Sequence, residues 1–280
     1  MDVSVITPSF NMLSYLKLCC ASVADQGRAL REHIVVDGGS TDGTVEWLDT
    51  QPHITSIVEK DNGMYDAINK GLQICNGQIF SYLSCDEQYL PGTLDFVSLY
   101  FEKHPDVDGL FGDTIITWSD GRFAAFRKSY KPFWPLIGAS ILYVFPSSMF
   151  LRRRVIDNGE RFDARFKDRG DGEFVMRLLR RGYRLRNTRR YLSTFTLTGQ
   201  NRSQTIAARS EDDLINSILP TWVRRMHRPL NLARLGLKLA SGAYFERPPL
   251  SYAIYVPGAA PDHGRLAFRA HRLSQKWPIV

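Results

Sequence analysis

Residues 33–44 read His33-Ile34-Val35-Val36-Asp37-Gly38-Gly39-Ser40-Thr41-Asp42-Gly43-Thr44. The first five form a strand whose apolar run is too continuous for an exposed edge. The glycine-rich turn leads into a helix through Trp47, with Asp42 as a plausible cap. A buried strand feeding a helix is the unit of a mostly parallel sheet covered by helices on both faces. The turn is not a dinucleotide fingerprint, which needs G-x-G-x-x-G opening the first helix.

The flanks repeat the unit. Val3-Ser4-Val5-Ile6-Thr7 is a β-branched run ended by Pro8, and Asn11 can cap a helix carrying Leu13, Leu16, Cys20 and Val23. A third strand runs over 54–59, a helix over 65–75, a fourth strand over 79–83 and a helix over 93–103. Ligands in such sheets bind beyond the carboxyl ends of the strands. Asp37, Asp61 and the Ser84-Cys85-Asp86-Glu87 cluster all sit there. After residue 108 the pattern changes to short strands around Ser119-Asp120-Gly121. A helix follows over 173–181, then a strand over 184–192, and helical signals beyond 210.

The chain has 280 residues, which allows one sizeable core plus an appendage. Hydrophobic residues make up 44% and charged residues 23%, which excludes disorder, collagen and coiled coil for the whole chain. The net charge of +7 is unevenly spread: residues 1–150 carry −8, 151–220 carry +7 and 221–280 carry +8. A basic back half calls for anionic partners. The four cysteines form no C-x-x-C pair, so reduced thiols in the cytoplasm are expected. The six histidines lack ligand-like spacing, which argues against zinc. The first residues read as a strand, not as a signal peptide. Residues 132–151 are uncharged and long enough to span a bilayer. Pro132, Pro135 and Pro146 instead favour a loop followed by a buried strand.

Each polar cluster has a chemical use and a plain one. Asp37 can accept hydrogen bonds from a base or a ribose, or simply brace its turn. Asp61 and Gly63 begin a segment that either meets a ligand or caps a helix. The adjacent Asp86 and Glu87 repel one another, and a divalent cation would relieve that. With few protein ligands, such a cation bridges to a substrate phosphate.

Taken together, VSVITPSFN at 3–11, IVVDGGSTDGT at 34–44, EKDNGMYDAINKG at 59–71 and LSCDE at 83–87 resemble the family 2 glycosyltransferases of GT-A fold. FPSSMF at 145–150, then Phe162-Asp163 through Gly170-Asp171-Gly172-Glu173-Phe174, continue the resemblance. It covers about residues 3–205, read as the catalytic domain, with 206–280 as a basic, mainly helical extension. The resemblance implies inverting transfer of a sugar from a nucleotide-sugar, usually a UDP-sugar, to a saccharide or lipid-linked saccharide acceptor in surface-glycan synthesis. Thr7, Pro8 and Asp37 would then line the nucleoside pocket, with Asp61 beside the base. The metal motif falls on Ser84 and Asp86, so Asp86 would hold Mn2+ or Mg2+ alone among carboxylates. Asp171 would be the general base, with Glu173 or Asp168 in reserve. Asp171 and Glu173 also suit a helix N-terminus on electrostatic grounds alone. Arg202 would contact the diphosphate from the loop after the last strand.

Two other readings stand beside this one. Ser84 in place of a carboxylate also fits a non-catalytic relative that scaffolds a glycan-assembly complex. A sugar nucleotidyltransferase would need a glycine-rich basic loop where Pro8-Ser9-Phe10-Asn11 stands. In residues 221–280, Arg224, Arg225, Arg228, Arg234 and Lys238 mix with leucines. That composition suits a helix on the inner face of the cytoplasmic membrane, and equally one packed on the catalytic domain. No nucleic-acid-binding motif is present.

Overall fold

The computed structural model describes residues 1–199, 207–258 and 264–276, without the side chains of 207–210 and 212. In chain order the elements are β1 (Val3–Ser9), α1 (Leu13–Ala24), β2 (Leu30–Asp37), α2 (Thr44–Asp49), β3 (Ile54–Val58), α3 (Met64–Ile74), β4 (Ile79–Tyr82), β5 (Glu87–Tyr89), α4 (Thr93–Lys103), β6 (Gly109–Trp118), β7 (Phe123–Arg127), α5 (Trp134–Gly138), β8 (Met149–Arg152), α6 (Arg153–Asp157), α7 (Gly170–Arg180), β9 (Leu185–Leu197), α8 (Ala207–Ile218), α9 (Thr221–Arg225), α10 (His227–Ala240), β10 (Leu250–Ile254) and β11 (Leu266–Ala270).

The main sheet runs β3-β2-β1-β4-β8-β6-β9-β5, with β7 pairing on β6. From β3 to β4 every pairing is parallel. Beyond β4 the sheet is mixed: β8 runs antiparallel to β4 and β6, while β6 and β9 are parallel. The parallel half comes from the helical crossovers, which alone can return a strand in the same direction. The mixed half begins where the sequence loses its strand–helix alternation.

Strand alternation divides the core. Val3 and Val5 face α1 and α4, packing with Cys19, Val23, Leu94, Val97 and Phe101. Ile6 faces the other side, packing with Ala67, Ile68 and Leu72 of α3 and with Phe174 and Leu178 of α7. The uncharged stretch of residues 132–151 forms α5, a short turn and most of β8, and contributes Leu136, Ile137, Val144 and Phe150 to the core. Among the described residues, no helix is long and apolar enough to cross a membrane. All four cysteines are free and buried.

Residues beyond 206 are not only helical. β10 and β11 form a two-stranded antiparallel sheet that the sequence reading did not anticipate. Tyr252, Ile254 and Val256 pack on Leu90 and Ile115. Leu219 and Val223 join the core around α7. Arg265 donates to Asp25 through Nε and Nη2 (2.6 Å each) and to the Tyr89 carbonyl (2.6 Å). These segments are fastened to the sheet.

Candidate active site

Loops at the carboxyl ends of β1, β2, β3 and β4 meet, because each is tied to its neighbour. The Asn11 amide donates to Ser40 Oγ (2.7 Å), and Asn11 Oδ1 accepts from the Thr41 amide (2.8 Å). Asp42 serves two helices: Oδ1 accepts from the Thr44 hydroxyl (2.6 Å) and Oδ2 from the Leu13 amide (2.9 Å). Asn11 therefore does not cap α1; Asp42 does part of that work from the next loop. The Cys85 thiol, pushed up to about 12 by burial, donates to the Pro8 carbonyl (3.1 Å).

Asp37 is fully buried, and its carboxylate accepts from the Gly39 amide (3.0 Å), the Ser40 amide (2.7 Å) and the Ser40 hydroxyl (2.7 Å). Three of its roughly four lone-pair positions are thus taken by its own turn. Gly38 lies beneath Asp61: a Cβ there would meet Asp61 Oδ2 at 2.8 Å and the Phe10 ring at 3.2 Å. Only glycine lets those two side chains close over the turn. Phe10 is 58% exposed, so a flat aromatic face stands open beside the Asp61 carboxylate.

Thr7 does not face these loops with its side chain. It follows Val3 and Val5 to the α1 face, where its hydroxyl pairs with His33 Nε2 (2.9 Å). Burial holds His33 neutral, at about 3. Only the main chain of Thr7 is left for a ligand.

The acidic pair at 86 and 87 splits. Glu87 turns inward, 5% exposed, and accepts from the Ser84 amide (2.8 Å). Burial, followed by the charge of Asp86, raises the pKa of its carboxyl well above the usual carboxylate range. Asp86 stays half-buried, and its charge reaches Tyr15 of α1. Among the described residues, no group of three or more acidic, histidine or cysteine side chains is placed to hold a metal. Asp86 with Ser84 therefore does not make an all-protein site. It does fit a cation held jointly with substrate phosphates, as Mg2+ commonly is.

The fifth component is the start of α7. Asp171 is half-buried, and Oδ1 accepts from the Gly172 amide (2.7 Å). Burial raises its pKa to about 6, against hydrogen bonding that favours the charged form. Tyr65 and Tyr82 stand close enough for its charge to raise both phenols. The Tyr65 hydroxyl is buried and lies within reach of the Asp171 carboxylate. Gly170 packs flat on the Tyr65 ring, where a Cβ would lie 2.7 Å from a ring carbon. Ser84 Oγ touches Met64, the residue before Tyr65 (3.9 Å). The first turn of α3 thus connects the Ser84 loop to the Asp171 helix.

Glu173 is employed elsewhere. It makes a bidentate pair with Arg177 (2.7 and 2.9 Å), which also binds Glu160 (2.5 Å). Glu160 is 1% exposed and needs both Arg177 and Arg181 to offset its buried charge. Glu173 is therefore part of a structural ion network, not a spare base. Arg202 lies outside the described residues.

Tyr65, Tyr82, Phe10 and Glu211 escaped the sequence reading as site residues. Exposure of an aromatic ring at a strand end and burial of a tyrosine near a carboxylate are visible only in three dimensions. Glu211 has no motif around it, yet its carboxylate reaches the turn before Asp171.

Comparison with known proteins shows the family and the fold. A family model described as Glycosyl transferase family 2 matches residues 4–181. A PGL/p-HBAD biosynthesis glycosyltransferase of Mycobacterium bovis is 31% identical over 126 residues, 43% of this chain and 49% of the relative. The putative teichuronic acid biosynthesis glycosyltransferase TuaG of Bacillus subtilis is 35% identical over 99 residues, 33% of this chain and 39% of that one. The match thus spans about half the length of the mycobacterial relative, and less of TuaG. In structure, S. aureus TarS superimposes with a TM-score of 0.59 at 16% identity, covering 97% of this chain and 60% of TarS. TarS 1–349 in complex with UDP-GlcNAc gives 0.59 at 18% identity, covering 86% of this chain and 73% of that one. The chain belongs to glycosyl transferase family 2 and carries the GT-A type of fold.

Proposed function

We propose that this chain transfers a sugar, with inversion, from a UDP-sugar to a saccharide or lipid-linked saccharide acceptor in bacterial surface-glycan assembly. The observation that carries the reading is Asp171: a half-buried carboxylate with a pKa raised to about 6, beside Tyr65 of α3, whose neighbour Met64 touches the Ser84 loop. A group of that strength is ionised at neutral pH and still basic enough to take an acceptor proton. Attack then proceeds on the anomeric carbon, on the face opposite the departing diphosphate. Phe10 offers a stacking face for the base, with Asp61 at its edge. Asp86 is the residue that would hold Mn2+ or Mg2+. Such a cation neutralises charge on the diphosphate. The uridine nucleotide is supported by the TarS structures with UDP-GlcNAc and UDP. The surface-glycan role is supported by the biosynthetic roles in the relatives' names.

The test is a thermal-shift screen of nucleotide-sugars with and without Mn2+. Binding to the folded state raises apparent stability by mass action, so the cognate donor gives the largest shift. No shift with any nucleotide-sugar would instead favour the scaffold reading, which the Ser84 substitution and the inward Glu87 support.

The acceptor side of the reading includes an anionic membrane surface. In α10, Leu230 and Leu237 pack against the core, while Leu232 (69% exposed), Leu235 (37%) and Leu239 (57%) face away from it. Arg228 shares their face at helical spacing, and Arg224, Arg225 and Phe245 (66% exposed) lie close in sequence. A leucine stripe bordered by cations is the pattern of an interfacial helix. Liposomes containing anionic lipid should sediment the wild-type chain, and Leu232→Ser, Leu235→Ser and Leu239→Ser together should abolish that. Equal sedimentation of both would remove the helix from the account.

A further inference from the structure

The turn before α7 is held from beyond the family-matched region. Lys167, Asp168 and Arg169 direct three successive backbone N–H groups at one carboxylate, that of Glu211 in α8. Glu211 Oε2 accepts from Asp168 (3.1 Å) and Arg169 (2.9 Å), and Oε1 accepts from Lys167. Glu211 is 7% exposed. Backbone donors to a buried carboxylate make short, charge-assisted bonds that fix geometry. Arg169 is also where α7 begins, because its carbonyl accepts from the amides of Gly172 (3.1 Å) and Glu173 (3.2 Å). Lys167 ties the same turn to the donor side, since its ammonium donates to the Asn62 carbonyl, next to Asp61. The start of α7 is thereby fixed by Glu211, by the Tyr65 ring under Gly170 and by Asn62.

We infer that Glu211 is a positioning residue for glycosyl transfer: it holds the Lys167–Arg169 turn so that Asp171 faces the acceptor hydroxyl. This rests on Asp171 being the base. It also moves a functional boundary, because a catalytic unit ending at 205 would lack the carboxylate that orients its own base. The charge of Glu211 adds to the upward shift of Asp171, behind the larger effect of burial. Among the described residues, the titratable groups facing Asp171 include Tyr65 from α3, Tyr82 from β4 and Glu211 from α8.

The test uses Glu211→Ala and Glu211→Gln in the full chain. A displacement of about 1 Å at a reacting group can cost about 10²-fold in rate. We expect a kcat loss of that order for Glu211→Ala, with donor affinity by calorimetry at the wild-type level. Glu211→Gln keeps an acceptor oxygen without the charge, so its loss is smaller. Its acid limb moves to lower pH, which a purely structural tie would not produce. Amide hydrogen exchange at residues 167–169 should quicken in both variants. Wild-type kcat in both, or unchanged exchange at 167–169, would overturn the inference. The exchange measurement needs no turnover. A wild-type chain inactive with every donor would count against glycosyl transfer, while exchange alone still decides whether Glu211 anchors the turn.

Discussion

Asp171→Asn binds the donor like the wild type and transfers sugar about 10²–10⁴-fold more slowly, the usual contribution of a positioned general base. The amide is nearly isosteric and still accepts from the Gly172 amide, which Asp171 Oδ1 does at 2.7 Å. It cannot take a proton. The fold, the turn at 167–169 and the Tyr65 contact with Gly170 should all survive, so the loss falls on kcat and not on KM for the donor. The wild-type pH profile carries the same signature. The base works only when ionised, and its pKa is raised to about 6, chiefly by burial. Activity therefore climbs as pH rises through 6 and levels off above it. An acid limb near 4, the range of an exposed carboxylate, or full activity in the Asn variant, would remove Asp171 from the mechanism.

Asp86→Ala produces the second large effect. The neighbouring Glu87 is buried and bonded to the Ser84 amide, so it cannot take over as a ligand without leaving its site. On the proposed reading, Asp86→Ala removes the carboxylate assigned to a cation shared with the diphosphate. Stabilisation of a leaving group by such electrostatics is worth about 10²–10³-fold for a single partner. We expect a loss of that order, with the Mn2+ dependence of donor affinity disappearing in calorimetry. Undiminished Mn2+ stimulation in Asp86→Ala would show that the cation is bound elsewhere or that Asp86 has no part in binding it.

The amino-terminal half was legible because its signals are local. Period-2 and period-3.6 apolar patterns mark β1 to β4 and α4, and Asp37-Gly38-Gly39 marks a turn closely approached by Asp61. What was misjudged depends on direction. Thr7 reads as a strand-end residue, yet alternation with Val3 and Val5 turns its hydroxyl toward His33. Glu173 stands two residues from Asp171, yet Arg177 one turn later captures it. Adjacent Asp86 and Glu87 look alike in sequence, but β5 begins between them and sends the second inward. Glu211 was not legible at all, since its partners are backbone amides more than forty positions away, at residues 167–169. The β10–β11 sheet was missed because each strand is only five residues long, too short for its alternation to stand out.

The central claim is direct displacement by an acceptor hydroxyl that a carboxylate deprotonates. The anomeric configuration of the product, read by proton NMR coupling constants in the first minutes of turnover with the cognate donor, tests it most directly. An α-linked UDP-sugar should give a β-linked product. An α-linked product would contradict single displacement and with it the role assigned to Asp171.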